Sequence, residues 1–436
     1  MEFTGALWAV PFLGIIFSMS FLPLLCPKLW EKYGCFVPLF WSGAYLSAVA
    51  ICFGPGEIVP AVWEPILTDY LPFIILISAL YIVSGGIFVD FPRGRGYIFN
   101  TLFLFCGSII AGWIGTTGAA ALLIRPFLRA NTGRLHTTHL PVFFILMVAN
   151  IGGAATPLGD PPLFIGFLKG IDFFWFVKKL YPFSLGTLTF LSLLFLVTDY
   201  ICFKADKEIS RPQTNEPSIR VEGMMNIILT AIILAAVIFC NFEGTFTLLG
   251  EKFSISSLLR NTILSAISII SLKFTPPEIR EKNSFSVAPI REIAELFAGI
   301  FITVVPIIRI LHLGSSGAFG CLFDWIAPGG EFVVDRCFWA CGTLSSFLDN
   351  APTFLIFFHL TSGDPNILMT VKSNLLTAFS VSSVFMGAMT YIGNAPNLIV
   401  RSISVSYGLK VPSFLGYMVW SMALLAPIFI VISYFL

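Results

Sequence analysis

Residues 150–162 read NIGGAATPLGDPP, and they interrupt an apolar run that extends over 139–170. Proline has no N–H to give a helix, and an interior glycine costs about 1 kcal/mol relative to alanine. A stretch holding Gly152, Gly153, Gly159, Pro161 and the carboxylate of Asp160 therefore breaks any helix that enters it. Yet both flanks are apolar, so the break falls within hydrocarbon or packed protein. Backbone groups freed at such a depth are tolerated only where they line a cavity or bind something.

A second break matches the first. Residues 390–397 read TYIGNAPN inside the apolar run 370–400, with Gly393 and Pro396 as its breakers. Upstream of each lies another interrupted segment. Residues 116–124 read TTGAAALLI within 98–128, and 349–353 read DNAPT within 337–361, where Pro352 interrupts the helix. Setting Thr117 against Asp349 aligns the apolar residues that follow. The spacing from there to Asp160 and to Asn394 is then 43 and 45 residues. Two motifs at matched spacing imply an internal repeat.

Composition fixes the solvent. Hydrophobic residues are 57% of the 436 and charged residues 11%, against roughly 25% charged in soluble chains. A soluble fold could not cover this much apolar surface, so the excess faces lipid. Runs long enough to span lie near 8–27, 35–54, 71–89, 180–203, 223–241, 255–272, 292–311 and 412–436, besides the two broken ones. Segments 98–128 and 337–361 are too long for one helix and too short for two spans, which suits re-entrant hairpins. The expectation is an all-α polytopic membrane protein with about ten spanning helices, two of them broken, plus two re-entrant hairpins, arranged as an inverted repeat. Residues 1–70 are then N-terminal scaffold helices, 71–203 the first repeat, 204–222 a polar cytoplasmic linker, and 223–436 the second half.

Charge placement supports that layout. With both termini outside, most of the 25 basic residues fall on one side, among them Lys28, Lys32, Arg93, Arg95, Arg129, Arg134, Lys207, Arg211, Arg220 and Lys282. By the positive-inside rule that side is cytoplasmic. Counting the hairpins as full spans would scatter the same residues across both faces. The N-terminus has no basic n-region or small-residue cleavage site, so the first apolar run is expected to be retained. A net charge of +1 offers nothing to nucleic acid. The nine cysteines, such as Cys26, Cys52, Cys106 and Cys240, show no metal-ligand spacing and read as small hydrophobes. No cofactor is implied, and no enzyme.

Inverted repeats with discontinuous helices place a binding site near the bilayer midplane, between the halves. Asp160 and Asp349 are the carboxylates inside the broken segments, and an ionised Asp at a helix centre costs about 3 kcal/mol on insertion scales. They are read as groups that take up a cation or a proton in turn, the alternative being caps on the half-helices that follow. Asn150, Asn350, Asn394 and Asn397 are ligands or pins for the breaks. Thr116, Thr117, Thr156, Thr353 and Thr390 each offer one oxygen, although a membrane threonine often bonds its own preceding turn. Carbonyl ends with Asp349, Asn350 and Asn394 would suit Na+, whereas half-helix N-termini favour an anion, so geometry alone leaves the ion's sign open. Glu292 and Glu295 suit a helix N-terminus, with a proton route as the alternative for Glu295. Asp90 reads as an interfacial loop residue, His136 and His139 as interfacial, and Arg125 as snorkelling or paired with an acid.

At these motifs the sequence resembles the NhaD-type Na+/H+ antiporters, part of a wider superfamily that includes citrate and dicarboxylate carriers and arsenite pumps. The 13 residues of NIGGAATPLGDPP, with DNAPT and TYIGNAPN, carry the resemblance, and residues 291–300 and 116–126 support it. It covers most of the chain from about residue 70 onward. The resemblance implies secondary transport that exchanges Na+ or Li+ for H+, in the bacterial inner membrane, by a homodimer whose transport domain moves against a scaffold. It places Asp160, Asp349, Asn150, Asn350, Thr353, Asn394 and Asn397 at the family's motif positions. Ala119, Ala120, Ala121 and Met389 depart from the expected polar pattern. A citrate or dicarboxylate carrier and an arsenite extruder are the alternatives within the superfamily. An intramembrane aspartyl protease using Asp160 and Asp349 is the remote one.

Overall fold

The computed structural model describes residues 5–91, 96–206, 219–240, 242, 244–248 and 251–436. Most of the 204–222 linker, with Lys207 and Arg211, lies outside the described residues, as do Arg93 and Arg95.

Apolar runs of this length satisfy every backbone group only as helices, since lipid offers no partner for an N–H or a carbonyl. Among the described residues seven helices are long and apolar enough to cross a membrane: Phe36–Phe53, Pro55–Ser84, Tyr97–Ile114, Phe173–Ala205, Ile255–Phe274, Ala288–His312 and Phe414–Phe435. Four shorter apolar helices join them: Ala6–Met19, His139–Ala155, Met224–Phe239 and Ser373–Met389. Large apolar side chains such as Leu39, Phe40, Ile51, Phe190 and Val419 point outward, as lipid-facing residues do. The chain is an all-α polytopic integral membrane protein.

Two small sheets are the exceptions to all-α. Phe88–Asp90 pairs antiparallel with Arg220–Glu222, Val89 opposite Val221, and Thr245–Leu248 pairs with Glu251–Ser254. The first joins the two sides of the polar linker and gathers charge at one end of the molecule. There Arg129 bonds Asp90 at 3.0 Å, Lys282 meets Glu222 at 2.6 Å, and Asn283 donates to the Ile87 carbonyl at 2.7 Å. Asp90, expected in an interfacial loop, sits on a strand and is paired. Trp30 and Glu292 share a hydrogen bond, which brings the helix carrying Lys28 and Lys32 beside the start of Ala288–His312.

Residues 98–128 form a helical hairpin whose arms, Tyr97–Ile114 and Thr116–Ala130, meet at Gly115. Gly115 has φ +84, a left-handed conformation that L side chains rarely adopt. Phe103 stacks on Phe127 at 5.2 Å between centroids, and Asn100 and Asn131 exchange hydrogen bonds of 2.8 and 3.0 Å. The first arm, at 18 residues, is by itself long and apolar enough to cross a membrane.

The same order of elements then occurs twice at one constant offset. The helix starting at Thr116 corresponds to the one starting at Asn350, His139–Met147 to Ser373–Phe385, the short turn Ile151–Ala155 to Met386–Met389, and the half-helix capped by Asp160 to that capped by Asn394. The three α-helix starts and their N-caps differ by 234 positions, as do the ends of the short turns, whose starts differ by 235. That register sets Gly115 against Asp349 and Thr116 against Asn350, in place of the Thr117–Asp349 pairing expected above. The apolar residues after the break aligned in either register; the helix caps decide between them.

Candidate functional site

Each helix break is held open by the same device. Thr156 and Thr390 are extended, with φ/ψ of −145°/164° and −134°/166°. Their hydroxyls donate to the carbonyls of Gly112 and Ser346, each 44 positions upstream. The same oxygens accept from the N–H groups of Leu158 at 3.1 Å and Ile392 at 3.2 Å. Both threonines are thus engaged in bracing the breaks. Gly159 and Gly393 face the carbonyls of Gly153 and Gly387, where a Cβ would collide, so the strands of each break lie in backbone contact.

Between the breaks lies a chain of buried amides ending on Asp160. The Asp160 carboxylate is 1% exposed and receives three donors: Thr116 Oγ1 at 2.7 Å, Asn350 Nδ2 at 2.7 Å and Asn394 Nδ2 at 3.3 Å. Asn394 also donates to Asn150 Oδ1 at 3.1 Å. Asn150 donates to Asn397 Oδ1 at 2.7 Å, and Asn397 donates to the carbonyls of Gly387 and Thr390, each at 2.9 Å. Every link from Asp160 to Asn150 and back crosses between the two halves of the chain. The sequence thus brings Asp160, Asn150, Asn350, Asn394 and Asn397 together as a single network.

Asp349 stands apart from it. As N-cap of Asn350–Thr361 it accepts from Ala351 N–H at 3.2 Å, its only hydrogen bond to a side-chain oxygen among the described residues. It lines a cavity of about 170 Å³. Of the three residues expected around Na+, Asn350 and Asn394 turn their amide nitrogens to Asp160 and not to Asp349. Thr353 bonds the Asp349 carbonyl at 3.1 Å, the local use common for threonine in helices. Thr117 is buried in the wall of a cavity of about 30 Å³ beside Asp160, while its neighbour Thr116 makes the bond. Pro352 and Pro396 sit in the first turns of half-helices, where a missing N–H leaves no intrahelical bond unmade.

Other residues depart from their expected places. His139 is buried, not interfacial: its Nε2 lies 2.9 Å from Asp199 Oδ1. Asp199 was overlooked because it sits in an unbroken apolar helix, where no motif marks it. It is fully buried and also takes Arg134 Nη2 at 2.6 Å and Asn100 Nδ2 at 2.8 Å. Arg134 reaches on to Asp206 at 3.4 Å, and His136 Nδ1 lies 2.7 Å from the same carboxylate. Burial opposes the charge on Asp206, yet His136 and Arg134 hold its carboxyl below the usual range. This network binds the open end of the first hairpin to Phe173–Ala205, well away from the breaks. Among the described residues Arg125 pairs with no acid; it donates to the Ala121 carbonyl at 3.2 Å. Glu295 pairs with Arg291 at 2.6 Å, whereas Glu292 lines the Asp349 cavity. Ser345, whose hydroxyl lies 2.8 Å from Asn350 Oδ1 and 2.6 Å from the Ser383 carbonyl, has no sequence signal at all.

Chemically, the paired breaks offer carboxylates, amides, hydroxyls and free carbonyls. Among the described residues no Lys, Arg or His side chain bonds Asp160 or Asp349, and no group of three His, Cys, Asp or Glu has the arrangement of a metal centre. The sequence profile of a family described as "Putative citrate transport" matches residues 2–436. No curated protein matches the chain.

Proposed function

The chain belongs to that citrate-transport family, a non-enzyme group of secondary transporters, and on that premise we propose that it exchanges Na+ or Li+ for H+ at the paired helix breaks. The observation that carries this reading is Asp349: a buried carboxylate with a single backbone donor, turned towards a cavity. Such a group is costly to keep charged without a cation or a proton. Proton and Na+ compete for it by the same electrostatics, which is the chemistry of exchange.

The anion chemistry of the site is weak by comparison. Half-helix N-termini attract anions through their first N–H groups, but Pro161 and Pro162 remove two such donors at one break and Pro396 one at the other. A tricarboxylate placed there would meet two acids, neither of which is paired with a basic side chain among the described residues. Two observations favour citrate as the second reading: the family's own description, and the four clustered asparagines that could hold carboxylate oxygens.

The constant 234-residue register supports reading 71–203 and 223–436 as inverted repeats around one midplane site, with 1–70 as scaffold. In this proposal the basic end of the molecule faces the bacterial cytoplasm, both termini lie outside and the working unit is a homodimer. The test uses proteoliposomes with an internal pH dye and additions of NaCl, LiCl, and labelled citrate, succinate or arsenite. Na+-driven proton movement that disappears in Asp349→Asn is the expected result. Uptake of citrate without Na+-driven proton movement would replace the first reading with the second.

A further inference from the structure

We propose that the cavity beneath Asp349 is the access vestibule of a small monovalent cation, and that Glu292 is its second carboxylate. This deepens the reading above and rests on it in one respect, that transport is coupled to such a cation.

The cavity, of about 170 Å³, lies between the N-terminal helix Val10–Leu25, the helix Ala288–His312 and the half-helix Ala395–Ser406. Its walls are apolar, with Ile16, Met19, Ile293 and Leu398 among them, and three polar groups interrupt them: Asp349, Glu292 and the Trp30 indole. Asp349 is buried, and among the described residues its carboxylate accepts one hydrogen bond, from Ala351 N–H. Glu292 is exposed and takes the Trp30 indole N–H. No basic group pairs with Glu292 among the described residues, whereas Glu295, one turn on, is neutralised by Arg291. Two unneutralised carboxylates along one low-dielectric passage focus a negative potential that draws in cations and turns away anions.

Comparison with the other break sharpens the assignment. The small cavity beside Asp160, about 30 Å³, is lined by Gly115, Leu158, Pro161 and Phe164. These precede Asp349, Ile392, Ala395 and Leu398 of the large cavity by the constant 234 positions, so the two cavities are equivalent places in the two halves. Their charge is not equivalent. Gly115 stands where Asp349 does, and the wall facing it is Leu76, Ile77, Leu80 and Tyr81 with no acid. Asp160 is the one carboxylate in the small cavity's lining and is engaged by three donors, whereas two carboxylates line the large one.

The experiment places a single cysteine, Ile399→Cys, in the cavity wall of a cysteine-free chain in nanodiscs. It compares labelling by cationic and anionic methanethiosulfonates of similar size, each rate scaled to reaction with a free thiol. The cationic reagent is expected to react about ten-fold faster, the factor that 1.4 kcal/mol of charge interaction carries, and Glu292→Gln is expected to remove most of that preference. A ratio near one, or one that Glu292→Gln leaves alone, overturns the proposal. Leu398→Cys on the same wall serves should the first variant not fold. In proteoliposomes Glu292→Gln should raise the half-saturating Na+ concentration more than it lowers the maximal rate; a change confined to the maximal rate counts against it. Absence of any Na+-driven flux in the unmodified chain would defeat the exchange reading, while the labelling ratio would still decide the vestibule.

Discussion

Asn350 and Asp160 lie 190 positions apart, and the amide Nδ2 of the first donates to the carboxylate Oδ2 of the second at 2.7 Å. The bond ties the tip of the second hairpin to the break in the first half. The Ser345 hydroxyl lies 2.8 Å from its Oδ1 and 2.6 Å from the Ser383 carbonyl, and shares its one proton between the two. Asp160 consequently depends on the opposite half of the chain for two of its three donors, Asn350 and Asn394.

Removing one of those donors should therefore be felt in stability. Asn350→Ala leaves a buried carboxylate oxygen unsatisfied, a loss of about 1–3 kcal/mol, and thermal unfolding of the protein in detergent should register it. Asn350→Asp should be worse, since it sets two carboxylates face to face; a melting temperature equal to that of the parent would contradict the network.

The two acids should respond differently to the same change. Asp349→Asn keeps an oxygen to accept from Ala351 N–H and should leave the melting temperature nearly unchanged while abolishing transport. Asp160→Asn puts an amide where three donors converge and should cost stability as well as flux. Paired flux and unfolding measurements separate the cases, and equal destabilisation by both variants would argue against the division of roles.

Gly387 packs directly on the Asn350 side chain, and a Cβ there would run into its Oδ1. Gly387→Ala should push the amide off Asp160 and cost about 1–3 kcal/mol, as overpacking does. Gly408→Ala is the contrasting control of fold tolerance: nothing lies near its Cβ position, so only its positive φ is strained. A milder effect at Gly387 than at Gly408 would show that the close approach carries no weight.

Arg134 joins Asp199 and Asp206 at the open end of the first hairpin. Arg134→Ala takes the guanidinium from a fully buried carboxylate and leaves it Asn100 and His139, a change of the kind that typically costs about 3–5 kcal/mol. Asp206 is held below its usual pKa, so its contribution is present above the unfolded-state value and fades as pH falls through the lower folded one. The stability gap between parent and Arg134→Ala should thus be full at neutral pH and narrow below about pH 4. Unfolding curves across that range check the sign.

The sequence alone determined the membrane class, the positions of the breaks and most members of the site. Those features are local: apolar runs must be helical in lipid, and NIGGAATPLGDPP and TYIGNAPN cannot continue a helix in any context. Asp160, Asn150, Asn350, Asn394 and Asn397 were legible for the same reason, as polar residues with no cheap reason to lie in apolar segments. Partnership was not legible. That Asn350 serves Asp160 while Asp349 faces a cavity with Glu292, that Thr156 and Thr390 brace backbone, and that His139 and Arg134 converge on Asp199, follow from how distant helices pack. Hydrogen bonds and cavities depend on separations of a few ångströms between segments up to hundreds of residues apart, and only tertiary packing sets those separations.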